Sequence, residues 1–331
     1  MTRTGVVVVT YNSAEVIERC LESCGDLTVV VVDNASRDET CSLVRQRVPF
    51  GKPKSSVTLI ANAANHGFAS AVNQGVEALG AEFILLLNPD AALTSRVDEL
   101  ETACAQLGTG LAAGKLVDEA GEVQRGFTLR RFPTPLTLVL EVLGINRVLA
   151  ANPVNRRYRC LDLDLDGDLD NGGEVEQPPG AFLMFRREVW QRLGGFDTQF
   201  HPLWFEDVDF CKRASDLGLK IRYVPQVTAR HQGGHSIAGL GWSCREVYWY
   251  ASLLKYASKH FRPAEYRRVT AAVMLGSLFR TAVEMVRRRS FRPIGVYGKI
   301  GRLAGRSLIS GRVGELSFLS NCSNATEQRQ L

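Results

Sequence analysis

Three short segments of this 331-residue chain bring acids, amides and imidazoles together in patterns that could do polar chemistry. The first is Trp204-Phe205-Glu206-Asp207-Val208-Asp209, three carboxylates within four residues, beside aromatics, where a helix begins. A helix N-terminus favours anions, so one acid can cap while another faces a cleft as a general base for a hydroxyl proton. A capping cluster without chemistry is the competing reading. The second is Asn88-Pro89-Asp90, which ends an apolar run, Phe83 to Leu87. A carboxylate at such a strand end can ligate a hard divalent cation, and a cation there would neutralise a diphosphate. Alternatively, Asp90 caps the next turn. The third is His231-Gln232-Gly233-Gly234-His235-Ser236. Imidazole is a common metal ligand, and the glycines suit a loop able to close over a phosphate. A histidine satisfied within a turn is the alternative.

The elements that must position these groups follow from hydrophobic pattern. Gly5–Thr10, Thr28–Asp33, Val57–Ala61 and Glu82–Asn88 read as strands, and Ser13–Cys24, Asp38–Val48 and Gly67–Leu79 as helices between them. Ser13 is the expected N-cap of the first helix. Strands apolar throughout are covered on both faces, which predicts a largely parallel, doubly wound α/β sheet. Ligands of such sheets bind beyond the carboxyl ends of the strands. Thr10-Tyr11-Asn12, Asp33-Asn34-Ala35-Ser36, Ala61-Asn62 and Asn88-Pro89-Asp90 fall there. Further on, Gly180–Phe185, Lys220–Val224 and Val227–His231 read as strands, Arg187–Leu193 and Glu206–Leu217 as helices. The Leu/Asp alternation of 161–170 reads as a solvated loop, since it lacks the glycine and terminal glutamate of a calcium loop.

Charge is unevenly spread. Residues 245–312 carry 15 Lys/Arg and 3 Asp/Glu, a net of +12; residues 313–331 sum to −1, and the whole chain to +5, so residues 1–244 sum to 5 − 12 + 1 = −6. The basic stretch also holds Tyr248, Trp249, Tyr250, Tyr256, Phe261, Phe279 and Phe291. Basic, aromatic helices suit an anionic membrane surface, and no nucleic-acid-binding module accompanies the charge, so nucleic acid is not an expected partner. The N-terminus lacks the features of a signal peptide. The best candidate for a span, Val269–Val286, is interrupted by Arg280 and Glu284. The eight cysteines form no paired CxxC pattern and read as thiols of a reducing cytosol. A cytoplasmic protein, peripheral on the inner face of the plasma membrane, is the expectation.

Seven segments in this order, Val-Thr-Tyr-Asn-Ser (9–13), Val-Val-Asp-Asn-Ala-Ser (31–36), Asn-His-Gly-Phe-Ala (65–69), Asn-Pro-Asp (88–90), Gly-Gly-Phe-Asp (194–197), Phe-Glu-Asp-Val-Asp-Phe (205–210) and His-Gln-Gly-Gly-His-Ser (231–236), resemble the family 2 glycosyltransferases, and within them the rhamnosyltransferase-like branch. The resemblance spans roughly residues 4–240. It implies a GT-A type fold with a nucleotide-sugar-binding half (1–115) and an acceptor half (116–243), followed by a basic aromatic helical region (244–312) and a tail (313–331) expected to fray. It implies that Asp33, with Thr10 and Asn12 nearby, reads a pyrimidine base, and that Asn65, Gly67 and Asn73 line the base and ribose pocket. Asp90 matches the last acid of the family's Asp-x-Asp metal motif, and His231 a histidine that completes the metal site, for Mg2+ or Mn2+. Asp207 matches the catalytic base. Gly195, Phe196, Asp197, Trp204 and Glu206 would sit near the acceptor. Asn88 stands where the motif's first acid is usual, so the metal would lean on Asp90, His231 and the donor's own diphosphate.

The activity implied is inverting transfer of a sugar, rhamnose among the candidates, from a nucleoside-diphosphate sugar to a glycan or lipid-linked acceptor. A sugar nucleotidyltransferase would carry a Gly-rich basic loop after the first strand, where this chain has Thr10-Tyr11-Asn12-Ser13. A non-catalytic glycan- or nucleotide-binding protein would not need Asp33, Asp90, Asp207 and His231 together.

Overall fold

The computed structural model describes residues 3–47, 57–163, 171–234 and 239–310. The expectations for most of the Leu/Asp run, for His235-Ser236, for Val48 and for the 313–331 tail lie outside the described residues. The first half of the chain builds β1 (Thr4–Thr10), α1 (Ile17–Ser23), β2 (Thr28–Asp33), α2 (Thr40–Arg47), β3 (Val57–Ala61), α3 (Phe68–Ala78) and β4 (Phe83–Leu87). These strands run parallel in the order β3-β2-β1-β4. Side chains alternate across the sheet, and each face has its own core. Val6, Val8, Val29, Val31 and Leu85 pack with Ile17, Cys20 and Leu21 of α1 and Val44 of α2. Val7, Val9, Val30, Val32 and Ile84 pack with Ala69, Val72 and Val76 of α3. Covering on both faces is why these strands read as unbroken apolar runs.

α1 starts later than the pattern predicts. Ser13 is fully buried, its amide donating to Thr40 Oγ1 at 2.8 Å and its carbonyl accepting from Val16 and Ile17. Ser13 therefore forms a turn tied to α2, and Val16 occupies the cap position without a side-chain bond.

Beyond β4 come β5 (Ala91–Leu93), α4 (Asp98–Ala105), β6 (Thr109–Val117), three short helices α5 (Pro135–Val142), α6 (Ile145–Val148) and α7 (Pro153–Tyr158), β7 (Gly173–Val175), β8 (Phe182–Arg186), α8 (Arg187–Leu193), α9 (Glu206–Asp216) and β9 (Lys220–His231). The sheet continues β4-β8-β6-β9-β5, with β7 on β9. β8 runs antiparallel to β4, pairing Leu87 with Phe182. β5 runs antiparallel to β9, pairing Ala91 with His231. These two pairings bring two distant stretches of sequence, β8 and β9, to the end of β4. The two short strands expected over 220–231 are one strand. Its register against β6 shifts between Gly114 and Lys115, skipping Pro225-Gln226-Val227, because proline has no N–H to give a ladder.

The chain divides into two compact units: Met1–Phe132, Arg157–Pro202 and Glu206–Ser236 form one, and Pro133–Arg156, Leu203–Phe205 and Ile237–Leu331 the other. The second contains α5, α6, α10 (Trp242–His260), α11 (Pro263–Arg288) and α12 (Arg292–Ser310). α11 lies close on α5: a Cβ on Gly276 would stand 2.4 Å from Val142 O. Arg280 satisfies the end of α5, donating to Glu141 O at 3.1 Å. Inside this unit Glu246 accepts from Tyr297 Oη at 3.1 Å and lies 3.8 Å from Arg280. Tyr248, Tyr250 and Tyr256, counted above toward a membrane surface, are buried here as core.

Candidate functional site

Asp90 and His231 meet where β5 pairs with β9. His231 Nε2 lies 3.4 Å from Asp90 Oδ1, and both side chains are almost fully buried. The backbones are tied as well, Gln232 N donating to Asp90 O at 3.1 Å. The imidazole is held from behind by Gln124. Gln124 Nε2 donates to His231 O at 2.6 Å, which leaves Oε1 facing His231 Nδ1 at 2.9 Å. A carbonyl oxygen only accepts, so Nδ1 carries the proton. Phe127 stacks on the other ring face, centroids 5.1 Å apart and planes 8° apart. In the neutral ring, Nε2 therefore presents a lone pair to a carboxylate and has no hydrogen-bond partner. Two acceptors so placed need a cation or a proton between them. One imidazole nitrogen and one carboxylate oxygen suit a divalent cation, and the residues fit the metal expected from the sequence. Among the described residues no group of three or more His, Cys, Asp or Glu is arranged to hold a metal ion.

Asp207 stands at the N-terminus of α9. Its Oδ2 accepts from Gly180 N at 2.9 Å and its Oδ1 from Val208 N at 2.8 Å. Gly180 leads into β8, and Asn88 N donates to neighbouring Ala181 O at 3.0 Å. The acid is thus joined through one short segment to the end of β4 and so to Asp90. Burial lifts the Asp207 carboxyl above its ordinary range; the two amides and the Arg130 guanidinium oppose that lift without cancelling it. A helix N-terminus favours the anion, but here desolvation is the larger effect. Glu206 is buried, with Oε2 lacking a partner. Burial and the Asp207 charge push Glu206 well above the carboxylate range, which favours its neutral form. Just before it, Trp204 and Phe205 have φ of 75° and 69°, rare for bulky residues and the kind of local strain that concentrates at functional sites.

At the ends of β1 and β2, Thr10 Oγ1 donates to Asp33 Oδ1 at 2.8 Å, and Ser36 N to Asp33 Oδ2 at 2.8 Å. Asn12 N donates to Ser36 Oγ, and Asn12 Oδ1 accepts from Arg37 N, both at 2.8 Å. Asp33 is 1% exposed, so the visible function of this carboxylate is to organise the 33–36 loop. Asn62, at the end of β3, bonds through Nδ2 to Asn34 Oδ1 and Gln74 Oε1. Asn65 Oδ1 accepts from Gly67 N at 2.9 Å. Gly67 has φ of 83°, and a Cβ there would come within 2.7 Å of His201 Nδ1. Glycine is the residue that this approach and this φ allow.

Four other expected positions make contacts within the fold. Asn73 Nδ2 donates to Phe196 O at 2.8 Å, while its Oδ1 accepts from Phe196 N and Trp190 Nε1. Its amide thus clamps the 190–196 turn. Gly195 is pressed against it, a Cβ falling 2.7 Å from Asn73 Oδ1. Phe196 is 1% exposed and stacks on Phe210 with centroids 4.2 Å apart; it is part of the core. Asp197 Oδ1 caps its own turn, accepting from Gln199 N at 2.9 Å. Trp204, half-buried, falls in the other compact unit. Phe196→Ala should therefore cost about 3–5 kcal/mol of stability, read by chemical denaturation, with nucleotide affinity unchanged under conditions where the variant remains folded.

The mostly parallel sheet, its polar strand ends, the acid at a strand terminus and the second acid at a helix start agree with the GT-A fold, and the family match and the relatives identify a nucleotide-sugar-dependent glycosyltransferase. Residues 2–247 match the family described as glycosyltransferase like family 2, and the chain belongs to that family. An N-acetylglucosaminyl-diphospho-decaprenol L-rhamnosyltransferase of Mycobacterium tuberculosis is 28% identical over 253 residues, covering 70% of this chain and 76% of that protein. The rhamnosyltransferase WbbL of Escherichia coli is 28% identical over 159 residues, 46% of this chain and 53% of that one. Among solved structures, a Pyrobaculum calidifontis mannosyltransferase in complex with GDP-Man and Mn2+ has a TM-score of 0.51 at 18% identity, covering 99% of this chain and 88% of that one, and shares the fold. Gln124, Phe127 and Arg130 escaped the reading of the sequence. They lie in an irregular stretch with no periodic pattern.

Proposed function

We propose that this chain transfers a sugar, with rhamnose the first donor to test, from a nucleoside diphosphate to a hydroxyl of a glycan or lipid-linked acceptor, with inversion at the anomeric carbon. The observation that carries the proposal is Asp207, an acid held by two backbone amides and joined through Gly180-Ala181 to the Asn88–Asp90 turn. In this reading Asp207 takes the proton of the attacking hydroxyl. A single displacement needs no enzyme nucleophile; the chain supplies positioning and a base. A divalent cation at Asp90 and His231 would supply charge neutralisation for the diphosphate leaving group. The strand-end loops at Thr10, Asn12, Asp33 and Asn65 would hold the nucleotide. The mycobacterial relative's name, with a rhamnosyl donor and a polyprenyl diphosphate acceptor, supports this choice of substrates.

The test is thermal stabilisation of the purified chain by a panel of uridine and thymidine diphosphate sugars, with and without Mn2+, followed by transfer to polyprenyl-diphosphate-linked N-acetylglucosamine and assignment of the product anomer by NMR. Stabilisation by a pyrimidine nucleotide sugar and an inverted product are expected. A retained anomer would overturn the mechanism, and no response to any member of the panel would overturn the donor class.

A further inference from the structure

α11 has two faces of opposite character. One buries Tyr266, Val269, Val273, Gly276, Arg280 and Glu284 within its own unit, against α5 and α12. The other leaves a row of large apolar side chains in solvent: Met274, Leu275, Leu278 at 71%, Phe279 at 59%, Val283 at 62% and Val286 at 81% exposure. Their spacing by three, four and seven puts them in one stripe along the helix. From 269 to 286 the charged residues are Arg280 and Glu284, and both belong to the buried face. The exposed stripe from Met274 to Val286 therefore runs uncharged for about 18 Å at a rise of ~1.5 Å per residue.

Both ends of this stripe are basic. Arg267 and Arg268 are exposed at one end, and Arg289 and Arg292 at the other. The acids among residues 239–310 do not offset them. Glu246 is paired with Arg280, Glu265 with Arg262, and Glu284 with Arg287 and Arg288. A contiguous apolar surface of this length marks an interaction site, and the charge at its ends selects an anionic partner.

We infer that the exposed face of α11 docks on a lipid bilayer containing anionic lipids, the helix lying in the plane of the interface. The helix is long and apolar enough to cross a membrane by length and composition. Its opposite face, however, carries Arg280 and Glu284 and is packed against its own unit, and a charge at mid-bilayer is costly. Insertion of one face, with arginines reaching the headgroups, satisfies both observations. This surface differs from the one first suggested by the sequence: Phe279 and Phe291 remain, while the tyrosines are core. The inference is independent of the proposed reaction, since vesicle binding and sugar transfer are measured separately.

The experiment is co-sedimentation of the full chain with vesicles of phosphatidylcholine alone and of phosphatidylcholine mixed with phosphatidylglycerol, at low and high salt. Binding should require phosphatidylglycerol and weaken with salt. The double variant Leu278→Asp/Phe279→Asp should bind about tenfold more weakly or worse, and Arg267→Gln/Arg268→Gln several-fold more weakly on anionic vesicles. All four side chains are exposed, so circular dichroism and melting temperature should match the wild type. Equal binding to neutral vesicles, or wild-type binding by the apolar double variant, would overturn the inference. So would an absence of vesicle binding accompanied by a dimer that the same variant dissociates, since a second copy would then own this face.

Discussion

Asp207→Asn should lower turnover by about 10²–10⁴-fold, the range of a lost general base, while leaving donor binding in place. The variant keeps the shape of the side chain and removes the buried charge. One of the two backbone amides, Gly180 N or Val208 N, would then face an amide nitrogen. Desolvation works in the opposite direction, since it is what raises the wild-type carboxyl, so the melting temperature should change little. The pH profile provides a second readout. A base works only when deprotonated, so kcat/KM should rise with pH through the Asp207 pKa. Because burial raises that pKa, the rising limb should lie above the ordinary aspartate value of about 3.9. Removing the opposing charge with Arg130→Met should move the limb to still higher pH. Glu206→Gln is the internal control. If Glu206 is held neutral by burial beside Asp207, glutamine is nearly isosteric with it and turnover should survive. Full turnover by Asp207→Asn with loss in Glu206→Gln would reverse the two assignments.

The parallel half of the fold was legible because strands covered on both faces spell themselves out. Four apolar runs, each followed by polar residues, located Thr10, Asp33 and Asp90 at the strand ends. What could not be read was which polar groups the fold commits to itself. Asn73 and Gly195-Phe196-Asp197 fall in recognisable motifs, but packing between α3, α8 and α9 uses them as a clamp and a core aromatic. Asp33 reads as a ligand group, and its oxygens also accept from Thr10 and Ser36. The second half was harder because its pairings are non-local and antiparallel. Nothing near Gln124 in sequence indicates that it faces a histidine 107 positions later. The basic C-terminal region was legible in charge and not in geometry. Only the burial pattern of α11 tells its lipid-like stripe from the tyrosines that fill the unit's interior.

Gln124→Ala should weaken Mn2+ binding in the presence of nucleotide by about 10–100-fold, the usual effect of losing a group that orients a ligating histidine. His231→Ala should weaken it at least as much. The argument rests on the ring's two nitrogens. Gln124 bonds both the backbone and the Nδ1 of His231, so it sets the rotamer and the tautomer together, and Nε2 is left toward Asp90 Oδ1 at 3.4 Å. Without the amide the ring can carry its proton on Nε2, where it would donate to Asp90 and compete with a cation. The distinguishing measurement is the tautomer itself, from nitrogen-15 shifts of the His231 ring. The wild type should show Nδ1–H, and Gln124→Ala a shift toward Nε2–H. Gln124→Glu retains an acceptor for Nδ1–H and should recover the wild-type tautomer, although it loses the bond to the His231 carbonyl. Electron paramagnetic resonance titration of Mn2+ gives affinity without any turnover. Unchanged affinity in Gln124→Ala, with the tautomer altered, would show that Nε2 of His231 is not a ligand and that the cation is bound elsewhere. The same outcome would leave Asp207 as base untouched, because its two amide bonds come from Gly180 and Val208 and do not pass through His231.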